Sequence, residues 1–249
     1  IPRPGLLHRT IRYSGRSGTN RGKTRQPIAT VRTSPSILMF APCFVPYMAS
    51  ENICNGKLVL AFLDRGWRVD VISRRDDEGF LYGTGWTDPW LPLRPVTHEV
   101  RYDIGSPLVR QMDIVRQTIR MGHPMGGLRW AGRAYDMALR LHSEHPYDVI
   151  LSRCPAEVGH LPAMKFAANT GLPWVANWND PPATYWPPPY RHEGGPVARR
   201  LTRRYVREAV TRATVNTFPC ERLMAYTMAS LGLKTGDHTT VIPHIGRSY

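Results

Sequence analysis

From Ser36 onward short apolar runs alternate with helical patterns, and this alternation narrows the possible folds more than any other feature of the chain. Ile37, Leu38, Met39 and Phe40 form a four-residue apolar run ended by Ala41-Pro42, short enough for a strand buried on both faces. A helix is expected from Ser50, whose hydroxyl suits an N-cap, with Glu51 in its first turn and Gly66 as its stop. Residues 67–73 then read as a second strand. Strand, helix and strand in this order make a crossover unit, the building block of a parallel sheet.

The pattern continues to the end of the chain. Residues 74–95, rich in Gly, Pro, Asp and Trp, read as a long surface excursion, and 96–103 as a third strand. Helical patterns at 107–121 and 128–143 are separated by Gly122-His123-Pro124-Met125-Gly126-Gly127, which breaks a helix. Strands are expected at 148–151, 173–178, 213–217 and 239–242, and helices at 157–170, 196–212 and 220–231, with a Pro-rich loop over 180–190. The set predicts an α/β protein with a doubly wound, mostly parallel Rossmann-like sheet over residues 35–246. Such sheets bind ligands beyond the carboxyl ends of their strands, so the loops after Phe40, Leu151, Trp178 and Thr217 are where a site belongs.

Residues 1–34 do not fit that pattern. They carry Arg3, Arg9, Arg12, Arg16, Arg21, Lys23, Arg25 and Arg32 with no acid and few apolar residues, and are expected to be a disordered basic tail. The tail supplies 8 of the 14 net positive charges and leaves about +6 on the rest, an excess suited to anionic substrates or membrane surfaces. Nucleic acid is not expected as a partner, because only the charge argues for it. No segment reaches the roughly 18 apolar residues of a membrane span, nor the apolar run of a secretory signal, so a cytoplasmic protein is expected. Cys43, Cys54, Cys154 and Cys220 show no paired spacing and read as small buried thiols; Cys43, Cys154 and Cys220 all follow expected strands. No metal site is expected, no GxGxxG follows the first strand, and neither a GxxxxGK[ST] loop nor a GxSxG serine is present.

Several stretches resemble one family. Ile37-Leu38-Met39-Phe40-Ala41-Pro42, a loop, a helix and then Asp64-Arg65-Gly66-Trp67-Arg68-Val69-Asp70-Val71-Ile72 are similar to the opening of the family-4-like glycosyltransferases of the GT-B fold, whose second strand reads RGHxVxV. Tyr147-Asp148-Val149-Ile150 resembles their PDVI strand, Pro173-Trp174-Val175-Ala176-Asn177-Trp178-Asn179-Asp180 their PxVxxxRD segment, and Val241-Ile242-Pro243-His244-Ile245-Gly246 their VIPNGVD linker. The resemblance implies an N-terminal, acceptor-side domain. A C-terminal donor-binding domain, which in this family carries a pair of glutamates, is then absent from this chain. It further implies a nucleotide-sugar donor as co-substrate, no other cofactor, and a glycan or lipid-linked acceptor. Without the donor half the chain alone is expected to be inactive, and Ile1 in place of Met suggests a fragment or processed form.

Asp180 matches the family's Asp after the fifth strand and is the candidate acceptor of the proton from the attacking hydroxyl, or else caps the turn at Pro181-Pro182. Ser50, Glu51 and Asn52 stand where relatives commonly carry Gly-Gly; they are acceptor-binding candidates, or an ordinary helix start. Arg153, His160, Asn177 and Asn179 complete the acceptor-binding set, with His160 alternatively a structural histidine and Arg153 alternatively the partner of a surface acid. Trp178, Tyr185, Trp186 and Tyr190 give the next loop an aromatic character suited either to stacking on a substrate or to packing. Arg199, Arg200, Arg203, Arg204 and Arg207 crowd one expected helix, as suits either peripheral docking on the anionic inner face of a membrane or the plain basic surface of a core helix. The alternative reading is a non-catalytic Rossmann-like module that binds an anionic membrane surface or a protein partner.

Overall fold

A computed structural model describes residues 34–47, 49–75, 85–102, 104–153, 157–182, 186, 195–236 and 238–244. The expectations for residues 1–33, for Asp103, for Cys154 and for Tyr185 and Tyr190 lie outside the described residues. Seven strands are described: β1 (Ser36–Phe40), β2 (Arg68–Arg75), β3 (Thr97–Arg101), β4 (Val149–Arg153), β5 (Trp174–Asn177), β6 (Val215–Phe218) and β7 (Thr239–Val241). They form one all-parallel sheet in the order β3-β2-β1-β4-β5-β6-β7. The helices between them are α1 (Ser50–Leu63), α2 (Pro107–Met121), α3 (Leu128–Glu144), α4 (His160–Thr170), α5 (Pro196–Arg212) and α6 (Glu221–Leu231). The chain first builds toward β3, then returns through α2 and α3 to lay β4 on the other side of β1. The order therefore reverses between β1 and β4, the switch point at which sheets of this kind leave a crevice.

Pleating splits the core into two layers. Leu38, Phe40, Ile150, Trp174, Ala176 and Trp178 join side chains of α3 to α6, among them Trp130, Phe166 and Tyr205. Ile37, Met39, Val71 and Leu151 face the opposite way, toward Val59 and Leu60 of α1 and toward Trp90 and Leu93. Trp90 and Leu93 belong to a 3₁₀ helix, Asp88–Val96, that replaces the second half of the expected surface excursion. Its Pro92 and Pro95 break an α-helix, yet two apolar side chains still fold inward from it.

Two helix starts depart from expectation. The cap of α1 is Ala49, with no side-chain bond, and Ser50 is its exposed first residue rather than an N-cap. The expected helix from Glu157 divides into a 3₁₀ turn, Glu157–Gly159, and α4. Gly159 is required there, since a Cβ would lie 2.7 Å from the Arg153 carbonyl oxygen and 2.9 Å from Pro42 Cδ. One partner is strand backbone and the other a buried ring, so neither yields cheaply. Gly159→Ala is expected to cost about 1–3 kcal/mol, read in thermal unfolding as a midpoint lower by about 2–12 °C. An unchanged midpoint would mean that the turn has room the geometry denies it.

Candidate active site

The site lies at the reversal of strand order, where the segments after β1, β4, β5 and β7 come together. After Phe40 the chain turns through a cis Val45-Pro46 peptide into α1. Asn52 Nδ2 donates to the Phe44 carbonyl oxygen at 2.9 Å and Asn55 Nδ2 to that of Cys43 at 2.7 Å, so the first two turns of α1 hold the loop. The Arg153 Nε–H donates to Asn55 Oδ1, which ties the end of β4 to the same helix. Asn52 is buried in this bond, and the structure makes it a loop anchor rather than the acceptor contact expected from sequence.

The strand pleat sorts the remaining candidates. Along β4 and β5, Val149, Leu151, Arg153, Val175, Asn177 and Asn179 line one cavity of about 280 Å³, while the residues between them point into the opposite core layer. Leu58 and Phe62 of α1, with Trp67, form the apolar wall of that cavity. Thr217 of β6 and Ile242, Pro243 and His244 after β7 reach it as well. Asn177 Nδ2 donates to Thr217 Oγ1 at 2.8 Å, whereas Asn177 Oδ1 is buried with no hydrogen-bond partner among the described residues. An acceptor oxygen of this kind in a cavity wall carries a desolvation cost that a ligand hydroxyl or amide would relieve.

Asn179 in the cavity wall ties in Glu51 of the first turn of α1, and Asp180 follows Asn179 in the chain. Asn179 Nδ2 donates to Glu51 Oε2 at 2.7 Å, and Asp180 is close enough for its charge to act on Glu51. Burial raises the Glu51 carboxyl above its ordinary value, the Asp180 charge adds to this, and the Asn179 bond and the Arg153 and His244 charges oppose it. Burial likewise raises Asp180, against the opposing charge of His244. A half-buried carboxyl of raised proton affinity can accept a proton from a bound hydroxyl.

His160 and Trp178 stand on the other side of the sheet: Trp178 takes the packing alternative, and His160 is a structural core residue instead of an acceptor contact. His160 is fully buried, its Nδ1 is 2.7 Å from Ser152 Oγ, and its ring centroid lies 4.1 Å from that of Trp178. Burial first, and then the Arg153 charge, push its pKa down to about 3, which makes it a neutral core residue. Trp178 is fully buried and donates through Nε1 to Asn216 Oδ1 at 2.9 Å. Ser50 is exposed at the first turn of α1, Trp186 is half-buried, and Arg199, Arg200, Arg203, Arg204 and Arg207 are exposed along α5. Arg207 Nη1 also donates to the Leu231 carbonyl oxygen at 2.9 Å. The residues that sequence reasoning did not select are Thr217 and His244; Thr217 lies near the carboxyl end of β6 and His244 follows β7, which was the available signal. Among the described residues no helix is long and apolar enough to cross a membrane, and no three His, Cys, Asp or Glu side chains are grouped as metal ligands.

Among solved structures the chain is similar to a Listeria monocytogenes protein assigned as a UDP-N-acetylglucosamine 2-epimerase, with 14% identity and a TM-score of 0.47 over 84% of this chain and 44% of that one. It is similar also to an α-glucosyltransferase in complex with UDP and a 13-mer DNA containing an HMU base, at 13% identity and a TM-score of 0.46 over 85% and 42%. A third similar structure is MurG of Acinetobacter baumannii, at 11% identity and a TM-score of 0.42 over 86% and 47%. The chain thus spans less than half the length of each of these structures. No curated protein matches it. The family model of the glycosyl transferase 4-like domain matches residues 54–244, most of the described sheet and its helices, and the chain belongs to that family.

Proposed function

We propose that this chain is the acceptor-side domain of an enzyme that moves a sugar from a nucleotide-sugar donor to a glycan or lipid-linked acceptor. The observation that carries the reading is Glu51 in the first turn of α1, bonded by Asn179 of the cavity wall at the sheet's switch point, with the charges of Asp180 and His244 acting on it. In the proposed reaction the acceptor hydroxyl oxygen attacks the anomeric carbon while its proton passes to the Asp180 carboxylate. The bond from the sugar to the donor phosphate breaks, and the nucleoside diphosphate leaves with its electron pair. Glu51 and the open Oδ1 of Asn177 would hold neighbouring hydroxyls of the acceptor. Groups that stabilise the leaving diphosphate belong, on this reading, to a donor-binding half, and the reaction belongs to the cytoplasm or to the inner face of its membrane.

The test is to supply the enzyme that contains this domain with a panel of nucleotide sugars and with glycan and lipid-linked acceptors. Release of nucleoside diphosphate from one donor, dependent on the acceptor, is the expected result. Failure of every donor across the panel would overturn the reading and favour a non-catalytic binding module.

A further inference from the structure

Helix α2 is amphipathic in an inverted sense. Leu108, Met112, Val115 and Ile119 recur at the spacing of one helix face and are 71%, 65%, 60% and 79% exposed. The inward face is the polar one. Asp113, the sole acid of α2, accepts from Arg129 Nε at 2.9 Å and from Arg133 Nη2 at 3.1 Å of α3, and Gln117 is buried beside it. A helix that uses its charges to dock inward and leaves its large apolar side chains in water has its stripe uncovered by any described part of the chain.

The charges around the stripe say what would cover it. With Asp113 engaged inward, the exposed charges of α2 itself are Arg110 and Arg116. Just beyond the end of the helix stands His123, whose Nε2 lies 3.1 Å from Glu208 and whose ring packs on Tyr205 of α5. Arg204 also stands close enough to act on His123, so α5 packs beside the C-terminal end of α2. At 15 residues α2 is too short to span a bilayer. Apolar side chains on one line with arginines beside them, and with the exposed Asp136 of α3 already paired with Arg120, match the boundary of an anionic lipid surface, where the stripe enters the acyl region and the guanidinium groups meet the headgroups. A protein groove would need acids against these arginines to match equally well.

We propose that α2 is a membrane-docking helix that lies in the plane of an anionic lipid surface, with its Leu108-Met112-Val115-Ile119 stripe inserted and the arginines of α5 flanking it. This surface is separate from the carboxylate site, and its test does not depend on sugar transfer.

The full 249-residue chain is sedimented with phosphatidylcholine vesicles made with and without phosphatidylglycerol, beside a Met112→Gln/Ile119→Gln variant that leaves every charge in place. Both positions are exposed, so circular dichroism and the thermal midpoint should match wild type. The expected result is binding to anionic vesicles that falls about tenfold in the variant, because apolar insertion and headgroup attraction act together. Equal binding of the two proteins would mean that charge alone recruits the chain, and no binding by wild type would mean that the stripe has another occupant; either overturns the proposal. So would a lipid-independent dimer, seen by light scattering, that the same substitutions abolish. An Arg200→Gln/Arg203→Gln variant should weaken binding and reduce its salt dependence while keeping the stripe intact, and unchanged binding there would remove α5 from the surface.

Discussion

Asp180→Asn should reduce sugar transfer by about 10²–10⁴-fold while leaving the thermal midpoint of the domain the same or higher. The loss is the usual effect of removing a positioned general base. The stability half follows from the direction of the pKa. Burial raises Asp180 above 3.8, so the folded state holds its proton more tightly than the unfolded chain does. Such a group favours folding below its unfolded pKa, and that contribution is lost as pH rises through the folded pKa. At neutral pH the ionised carboxylate is therefore slightly unfavourable to folding, and the neutral amide removes that effect. The wild-type rate should fall on the acid side at a pH above the ordinary carboxylate range, because the base must be ionised to act. Removing the Asp180 charge also lowers the Glu51 pKa, since that charge raises it, so residual activity in the variant should keep an acid limb displaced to lower pH. Initial rates across pH, with melting curves of both proteins, check all three expectations. A variant that loses activity by unfolding would show a lowered midpoint and would place Asp180 among the residues that merely hold the turn.

Much of this arrangement was legible in the residues. Pro107 and Pro196 sit at first helical positions, Gly122 ends α2 with φ +81° and Gly171 ends α4 with φ +71°, and these boundaries fall where the sequence puts them. The parallel sheet followed from short apolar runs separated by helical patterns, and the position of the site followed from the carboxyl ends of those strands. What was misjudged concerns which way a side chain points. Asn52 looks like a ligand group because it opens a helix, but its amide is taken by the carbonyl of Phe44. Helix α2 was read correctly as a helix, while its inverted burial depends on Arg129 and Arg133 of α3, to which no local pattern in α2 points. His160 was assigned to the correct end of β4 and the wrong face of the sheet; the alternation of Ser152 and Arg153 decides this, because Ser152 meets the imidazole while Arg153 lines the cavity.

The same alternation makes Trp178 the sharpest test of the framework. In β5 and just beyond it Trp174, Ala176 and Trp178 enter the core layer under α4 and α5, and Val175, Asn177 and Asn179 face the cavity. Had Trp178 been a stacking platform for substrate, Trp178→Ala would impair binding and leave stability nearly unchanged. Buried as it is, the substitution should cost about 3–5 kcal/mol, a fall of about 6–20 °C in the midpoint. Two losses combine there: the cavity left beside His160, and the orphaning of Asn216 Oδ1, which accepts the indole N–H at 2.9 Å. Trp178→Phe separates them, keeping most of the packing and costing only about 1–3 kcal/mol for the unpaired amide oxygen. Asn179→Ala, one residue further along, removes a cavity-side group bonded to Glu51 and should leave the midpoint close to wild type while disturbing the Glu51 carboxyl. A large destabilisation at 178 beside a functional effect at 179 is what a pleat continued past the end of β5 requires. The reverse pattern would mean that the chain leaves the sheet before Trp178 and that both residues belong to the loop.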